Sequence, residues 1–384
     1  MRVHLIFDSP SRLADSSIRY ERYLDGLRHL GHEATLITTE ASGEGVDWAE
    51  IVPDRAALLD SKFWAARQPE FVLIPTWLGI VDLLRVIRPH TQKIIAIADT
   101  DGFVGARAHP YPVFERLITQ QISLKGKIRA AGWWARQYLR LNRSVDEEMI
   151  ASIRLCDRVV LATAGACDNL HAFLKSMNAQ ELRNRLIVAP YPVAQDFNQL
   201  PICTSKSKQV VIIARWSDPQ KGGQFLANGI KTFLKHMPGW RFVVVGSKGE
   251  FIFRNLHNAD PDRLQYRNVL SQAEVLKLLD ESRILFSPSV WESGPIIAFE
   301  ALLRGCSIVG RHSIPSFSEY AAKECGTVYR HYRLSDAAKA LQVEADAWER
   351  SKRFPLEIAY RWSDMFTPNY ICDKILNDSF IKEI

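Results

Sequence analysis

The chain has 384 residues, of which 47% are hydrophobic and 24% charged, and its net charge is +6. This length favours two domains of somewhat under about 200 residues each over a single core. The ordinary composition, the absence of a recurring period and the absence of an apolar run near the roughly 18 residues of a membrane span exclude disordered, repeat and membrane-spanning architectures.

The N-terminal segment and the cysteines indicate a compartment. MRVHLIFDSPSR turns polar after its first seven residues, unlike a secretory signal. The six cysteines show no CxxC or CxxH spacing, which is typical of free thiols in a reducing environment. We therefore expect a cytoplasmic protein.

The first half of the sequence alternates short apolar runs with helical patterns. Residues 2–7 predict a strand, residues 16–31 a helix that ends at Gly31, and residues 33–38 the next strand. The series continues with apolar runs at 71–75, 93–98, 157–163 and 185–190. Because these runs lack polar alternation, we expect strands buried on both faces. The pattern predicts a parallel, doubly wound sheet.

The stretch PYPVAQDFNQLPICTSKSKQ (190–209) interrupts this rhythm with three prolines and a polar run, which predicts a linker. Four further strands are predicted at 210–215, 241–247, 283–289 and 306–310, and the tail after about residue 335 is helical and aromatic. We therefore predict an α/β protein with two Rossmann-like doubly wound domains that face each other across a cleft. They span 1–195 and 196–355, and a helical tail, 356–384, packs back on the first domain.

Two glutamates mark the predicted site in the second domain. Glu292 precedes an apolar run and Glu300 lies inside it, where a carboxylate costs several kcal/mol unless it finds a partner. Pro295 suits the first turn of a helix that follows a strand and a loop. The loop therefore lies at the carboxyl end of the sheet, where ligands bind in open α/β folds, and the N–H groups at 294–297 predict an anion site.

The E-x7-E spacing, followed by a small-residue helix and a glycine before a strand, resembles the signature of retaining GT-B glycosyltransferases, family 4 in particular. The resemblance implies that Glu292 contacts the donor sugar and that Glu300 accepts hydrogen bonds from the ribose of the nucleotide. The residues between them would hold the phosphates: Ser293, Gly294, Pro295, Ile296 and Ile297. The family often has Phe-Gly after the Glu-Ser pair, whereas this chain has Gly-Pro.

A second segment, VVIIARWSDPQKGGQFL (210–226), is similar to the phosphate clamp of the same family. There the resemblance places Arg215 and Lys221 on the leaving diphosphate and Gly222 in the donor site. Two cations beside a helix N-terminus stabilise such a leaving group without a metal ion. The resemblance covers residues 185–330 well and the first 185 residues more loosely.

The acceptor side offers weaker signals. The loop after the first strand lacks the family's glycines and presents Ser16 and Ser17 as acceptor contacts, although Ser16 suits a helix N-cap equally well. Where the family often has a histidine facing the reacting carbon, this chain has Asp99 and Asp101, followed by His109. We take Asp101 and His109 as candidates for catalysis and Asp99 as an acceptor-side candidate, unless the aspartates only cap the loop.

Asp99 and Asp101 also form a D-x-D pattern, which in GT-A glycosyltransferases binds a metal ion with the nucleotide diphosphate. The duplicated α/β pattern and the separate cationic clamp disfavour this alternative.

The segment SLKGKIRAAGWWARQYLRLNRS (123–144) predicts a basic helix. Five cations share an arc of about 60°: Lys125, Arg129, Arg136, Arg140 and Arg143. The apolar side chains occupy a separate arc of about 100°: Leu124, Ile128, Ala131, Ala135, Tyr138 and Leu139. Either the cations meet an anionic surface such as lipid, or they are solvated while the apolar arc packs on the sheet. No base-reading motif accompanies them, so we expect no nucleic-acid partner.

Together these observations predict a retaining, metal-independent glycosyltransferase without a cofactor. It would move a sugar from a nucleotide-diphosphate donor to a hydroxyl of a glycan or a lipid-linked glycan in cell-surface polysaccharide synthesis. We expect it in the cytoplasm, peripherally at the inner face of the plasma membrane. A nucleotide-sugar epimerase on the same fold and a non-catalytic sugar-nucleotide-binding protein at the membrane are the alternatives, whereas a dehydrogenase is disfavoured because no GxGxxG follows a strand.

Overall fold

The computed structural model describes residues 1–8, 17–76, 79–98, 102–121, 123–139, 141, 144–199, 201–253 and 262–377. The chain divides into two compact units. The first unit contains Met1–Pro110, Ala135–Ala194 and Met365–Ile384, and the second contains Tyr111–Trp134 and Gln195–Asp364. The sequence-based domain boundaries remain predictions. The sequence did not indicate that residues 111–134 group with the second unit.

A seven-stranded parallel sheet forms the centre of the first unit, in the order β3-β2-β1-β4-β5-β6-β7. Its central strands are apolar on both faces because helices cover them. The strands are β1 (Arg2–Phe7), β2 (Glu33–Thr39), β3 (Glu50–Val52), β4 (Phe71–Thr76), β5 (Lys93–Ala98), β6 (Arg158–Leu161) and β7 (Leu186–Val188).

A six-stranded parallel sheet forms the centre of the second unit, in the order β10-β9-β8-β11-β12-β13. The chain reverses its direction of travel across the sheet between β8 and β11, the switch point at which such sheets bind ligands. The strands are β8 (Ser207–Ile213), β9 (Arg241–Val245), β10 (Leu264–Arg267), β11 (Ser282–Phe286), β12 (Ser307–Arg311) and β13 (Gly326–Tyr329).

Helices connect the strands in both sheets. Those up to β7 are α1 (Ser17–His29), α2 (Glu40–Gly43), α3 (Arg55–Leu58), α4 (Ser61–Arg67), α5 (Val81–Ile87), α6 (Pro110–Thr119), α7 (Leu124–Tyr138), α8 (Ser144–Leu155) and α9 (Ala164–Ser176). Those after β7 are α10 (Asp196–Gln199), α11 (Gly223–His236), α12 (Glu250–Phe253), α13 (Gln272–Glu281), α14 (Ile296–Leu303), α15 (Pro315–Ala322), α16 (Leu334–Glu349), α17 (Pro355–Tyr360) and α18 (Pro368–Leu376). In the part of the chain that the structure describes, no helix has the length and hydrophobicity needed to span a bilayer.

The predicted fold class, two doubly wound α/β domains, is confirmed. Three strands were missed, β3, β10 and β13, and each of them lies at the edge of its sheet. The predicted linker, 190–209, was drawn too long, because β8 already begins at Ser207. The two polar residues that open β8 are exposed, and this is why the pattern resembled a loop.

Helix α7 corrects one alternative left open by the sequence. Its apolar arc does not pack on a sheet, because Leu124, Ile128 and Leu139 beside its C-terminus are 74%, 64% and 63% exposed. The buried positions of the helix are instead Ala130 and Gln137.

A buried arginine ties the start of the second unit to its sheet. Arg304, at the end of α14, is fully buried and makes an ion pair of 2.8 Å with Asp280. Its guanidinium also donates to the carbonyl oxygens of Phe197 and Pro201, at 3.2 and 2.6 Å. One side chain thus satisfies a carboxylate and two backbone acceptors, which compensates the cost of burying its charge.

We expect Arg304→Ala to lower the free energy of unfolding by about 3–5 kcal/mol, because it leaves Asp280 and two carbonyl oxygens without their donor. Arg85→Ala is the control, since Arg85 pairs with Asp82 on an exposed helix face and should change stability by less than about 0.5 kcal/mol. Urea unfolding followed by tryptophan fluorescence measures both. Equal effects of the two substitutions would contradict the role given to Arg304.

Candidate active site

Two loops leave the second sheet at its switch point. The β8 loop (residues 214–222) follows β8, and the β11 loop (residues 287–295) follows β11. Since β8 and β11 are parallel neighbours, both loops start at the same edge of the sheet. This edge carries the predicted donor-site residues, from Arg215 to Ile297.

Trp216 anchors the β8 loop. Its indole Nε1 donates to the carbonyl oxygen of Val245 at 3.0 Å, and its side chain is buried. Glycines surround the ring: a Cβ on Gly246 would lie 3.0 Å from the indole nitrogen and one on Gly249 would lie 2.7 Å from the ring. The ring therefore occupies the space that side chains at residues 246 and 249 would fill. Its packing and its hydrogen bond to Val245 fix the β8 loop against β9.

The β8 and β11 loops are joined to each other. The backbone N–H of Val290 donates to the carbonyl oxygen of Gln220 at 2.8 Å. Gly222 has a φ of +71°, and a Cβ there would lie 2.1 Å from the carbonyl oxygen of Pro288. A residue larger than glycine would therefore separate the loops, which explains the glycine beside Lys221.

The central contact of the site is an ion pair across the two loops. The Nζ of Lys221 lies 2.8 Å from both carboxylate oxygens of Glu292. The hydroxyl of Ser289 donates to the same carboxylate at 2.6 Å, and Glu292 is only 5% exposed. The two residues that the sequence linked only through a family resemblance thus meet directly.

The start of α14 completes the site. The helix begins at Ile296, and Pro295 precedes it as the N-cap in an extended conformation. Gly294 has a φ of +139°, which only glycine adopts readily. Among the residues that the structure describes, the N–H groups of Ile296 and Ile297 donate to no backbone carbonyl, and the N-cap residue gives the helix no side-chain acceptor. These donors, together with the helix dipole, can hold an anion.

Glu300 lies one turn further along the same helix and is 7% exposed. Its burial was expected from its position inside an apolar run, and its contact with the ribose stays a prediction. Arg215 lies two residues beyond the end of β8, and its carbonyl oxygen accepts from the N–H of Asp218. Ser293 is half-buried between Glu292 and Gly294.

Arg311 is hydrogen-bonded to the backbone of the β11 loop. It ends β12, is about 5% exposed and donates from Nη1 to the carbonyl oxygen of Val290 at 3.0 Å. Its charge is balanced by Glu115 of α6, at 2.8 Å. This pair was not predicted, although an arginine at the end of the apolar run SIVG is a signal in the sequence.

Further side chains hold the same loop. The guanidinium of Arg116 lies 5.7 Å from the ring of Trp291, and the hydroxyl of Tyr332 donates to the carbonyl oxygen of Pro288 at 3.0 Å. Burial raises the pKa of Tyr332, although the nearby Arg311 opposes the shift, so its hydroxyl remains a donor. Residues from α6, β12 and the segment after β13 therefore fix the β11 loop.

The candidates of the first unit are less well defined. Ser16, Asp99 and Asp101 lie outside the described residues, and of Ser17 only its backbone position as the first residue of α1 is described. His109 donates from Nε2 to the carbonyl oxygen of Asn169 at 2.6 Å and its ring packs edge-on against Phe103. Burial lowers the pKa of His109, so the ring is neutral at pH 7 and Nδ1 is its remaining acceptor. Its catalytic role stays a prediction.

One family model matches the part of the chain that contains the candidate site. Residues 207–342 match the family model described as glycosyl transferases group 1. The match covers about a third of the chain and includes both loops and α14. No curated protein matched the sequence.

Solved structures extend the likeness of the fold to nearly the whole chain. Sucrose-phosphate synthase from Thermosynechococcus elongatus aligns with a TM-score of 0.63 at 14% identity, over 96% of both chains. Anabaena HepE in complex with UDP and glucose aligns with a TM-score of 0.63 at 11% identity, over 98% of both chains. A Listeria monocytogenes protein assigned provisionally as a UDP-N-acetylglucosamine 2-epimerase aligns with a TM-score of 0.57 at 13% identity, over 97% of this chain and 94% of that one. The family model and the fold together support a GT-B glycosyltransferase.

We expect Glu115→Gln to lower the free energy of unfolding by about 2–3 kcal/mol, because it leaves the buried charge of Arg311 uncompensated. The amide of Val290 should also exchange faster with deuterium, since the β11 loop loses a support. Glu319→Gln, which breaks an exposed pair with Lys323, is the control and should cost less than about 0.5 kcal/mol. Unchanged exchange at Val290 would show that α6 does not hold the loop.

Proposed function

We propose that the protein is a retaining glycosyltransferase, similar to family 4, that uses a nucleotide-diphosphate sugar as donor. The observation that carries the proposal is the Lys221–Glu292 pair at the switch point between β8 and β11. It places a cation and a carboxylate side by side at the sheet edge where this type of fold binds ligands. The match of residues 207–342 to a glycosyltransferase family model supports it.

In this proposal the diphosphate binds between the β8 loop and the start of α14. Lys221 and Arg215 supply positive charge, and the N–H groups of Ile296 and Ile297 supply hydrogen bonds. Glu300, which is 7% exposed, accepts hydrogen bonds from the ribose hydroxyls with its carboxylate. Glu292, held by Lys221 and Ser289, presents its carboxylate to the sugar hydroxyls.

The reaction breaks the bond between the anomeric carbon of the sugar and the diphosphate oxygen, and it forms a bond from that carbon to an acceptor hydroxyl oxygen. The negative charge that develops on the diphosphate is stabilised by the same cations and N–H groups, which are fixed before the reaction begins. The departing phosphate oxygen takes the proton of the acceptor. A separate base is therefore not required, and neither is a metal ion.

We further propose a glycan or a lipid-linked glycan as acceptor, and cell-surface polysaccharide synthesis in the cytoplasm as the process. The fold similarity to HepE, whose structure contains UDP and glucose, supports a uridine-nucleotide sugar as the first donor to test.

An epimerase that acts on a nucleotide sugar without an acceptor is the second candidate. The observation that favours it is the structural neighbour from Listeria monocytogenes, whose fold covers 97% of this chain. A protein that binds the nucleotide sugar without transforming it is the non-enzymatic alternative. The two candidate enzymes differ in their products, a glycoside or an epimeric nucleotide sugar.

We expect a true donor among UDP-, GDP-, ADP- and dTDP-sugars to stabilise the protein by about 2.7 kcal/mol at a hundred times its dissociation constant, measured by thermal shift. Glu300→Gln and Lys221→Gln should each weaken the response strongly, because each loses a charge-assisted hydrogen bond of about 1.5–3 kcal/mol. Glu357→Gln removes an exposed carboxylate of the same unit and should leave the response unchanged. If both site variants respond like Glu357→Gln, the donor-site assignment is wrong.

Retention and metal independence are tested on the product. With an α-linked donor, we expect the anomeric proton of the new glycoside to show the small coupling constant of an α-linkage in NMR. The rate should be the same in the presence of a chelator, since Lys221 and Arg215 carry the charge stabilisation. A β-linked product, an epimerised nucleotide sugar or a rate abolished by the chelator would each refute the corresponding part of the proposal.

A further inference from the structure

Helix α7 turns its apolar side chains away from the protein. Its inner side is formed by Ala130 and Gln137, which are buried, and by Trp134, whose ring packs edge-on against Phe114 of α6 at 5.1 Å. On the opposite side, Leu124 and Ile128 are exposed, and so is Leu139, the residue that follows the helix. Water therefore covers aliphatic surface that an ordinary amphipathic helix would bury.

Cations border this apolar strip. Lys125, Arg129 and Arg136 are exposed along one side of it, and Lys127 is exposed on the other. Arg140 and Arg143, which were predicted for the same stripe, lie outside the described residues. The sequence contains no acidic residue between Glu115 and Asp146, while it contains seven basic residues in that interval. The exposed surface of α7 thus combines aliphatic side chains with cations from a stretch that contains no acidic residue.

This combination selects one class of partner. Nucleic acid takes cations and aromatic stacking platforms, but the most exposed side chains of the strip are aliphatic. Tyr138 is 43% exposed, and Trp133 and Trp134 are half-buried. A bilayer that contains anionic lipid offers both an apolar layer for Leu124 and Ile128 and negative headgroups for the cations.

We propose that the outward face of α7 docks the protein on an anionic membrane surface. Leu124, Ile128 and Leu139 enter the boundary between headgroups and acyl chains, while Lys125, Arg129 and Arg136 contact the lipid phosphates. The inference goes beyond the proposed transferase activity, because the docking face is built without any residue of the donor site. It names the surface at which a lipid-linked acceptor would be met.

The test is co-sedimentation of the full chain with vesicles of phosphatidylcholine, alone or mixed with phosphatidylglycerol. We expect binding only to the mixed vesicles, and weaker binding at high salt. The double variant Lys125→Gln/Arg129→Gln should lower the partition coefficient about fivefold per substitution. Leu124→Ser/Ile128→Ser should lower it about tenfold for each side chain, because each loses its apolar contact with the lipid.

The matched control is Val343→Ser/Tyr360→Ser, which removes two exposed apolar side chains elsewhere on the second unit and should bind like the wild type. Absence of binding to the mixed vesicles, or equal loss in the control, overturns the proposal. The proposal is also overturned if the wild type is a dimer that does not bind vesicles and Leu124→Ser/Ile128→Ser makes it a monomer. The face would then join two copies of the chain. The thermal response to the donor should be the same in all variants, which separates this test from that of the transferase.

Discussion

The Lys221–Glu292 ion pair at the carboxyl edge of the second sheet is the contact on which the candidate site depends. It connects the loops of two neighbouring parallel strands, which the chain reaches 71 residues apart. If either residue were removed, the other would remain as an unpaired charge in a largely buried position, which is strongly destabilising. The hydrogen bond from Val290 to Gln220 and the glycine at 222 reinforce the same junction. The pair therefore fixes the two loops that would border a ligand in the proposed site.

The sequence predicted the sheets better at their centres than at their edges. A central strand such as β9 is covered on both faces, so its residues must be uniformly apolar and the run RFVVV is easily recognised. The edge strand β10, LQYR, pairs on one side only and leaves its last residue exposed, so it carries no such run. The first two residues of β8 were not predicted as part of a strand, because they are exposed as well. The apolar run that identifies a strand in a sequence is caused by burial on both faces, and not by hydrogen bonding to neighbouring strands.

The candidate site divides in the same way. Lys221 was suggested by a family resemblance, whereas Glu292 and Glu300 were also singled out by their positions before and inside an apolar run. Glu115 and Arg116 were not predicted, because they act on the β11 loop from about 175 residues earlier in the chain, and nothing local distinguishes them from solvated charges. Likewise, periodicity defined the two arcs of α7, but the packing of Trp134 on Phe114 decides which arc faces outward. Contacts distant in sequence are set by tertiary packing alone.

The position of α6 makes the candidate site depend on the N-terminal half of the chain. Residues 111–134 group with the second unit, and through Glu115 they balance the buried charge of Arg311, which in turn holds the carbonyl of Val290. A fragment of residues 195–364 would keep its whole sheet and both loops, yet Arg311 would be buried without its carboxylate partner. Such a fragment would either admit water to the charge or move the arginine, and both release the β11 loop. The second unit is thus complete only with a helix that the chain supplies between two strands of the first.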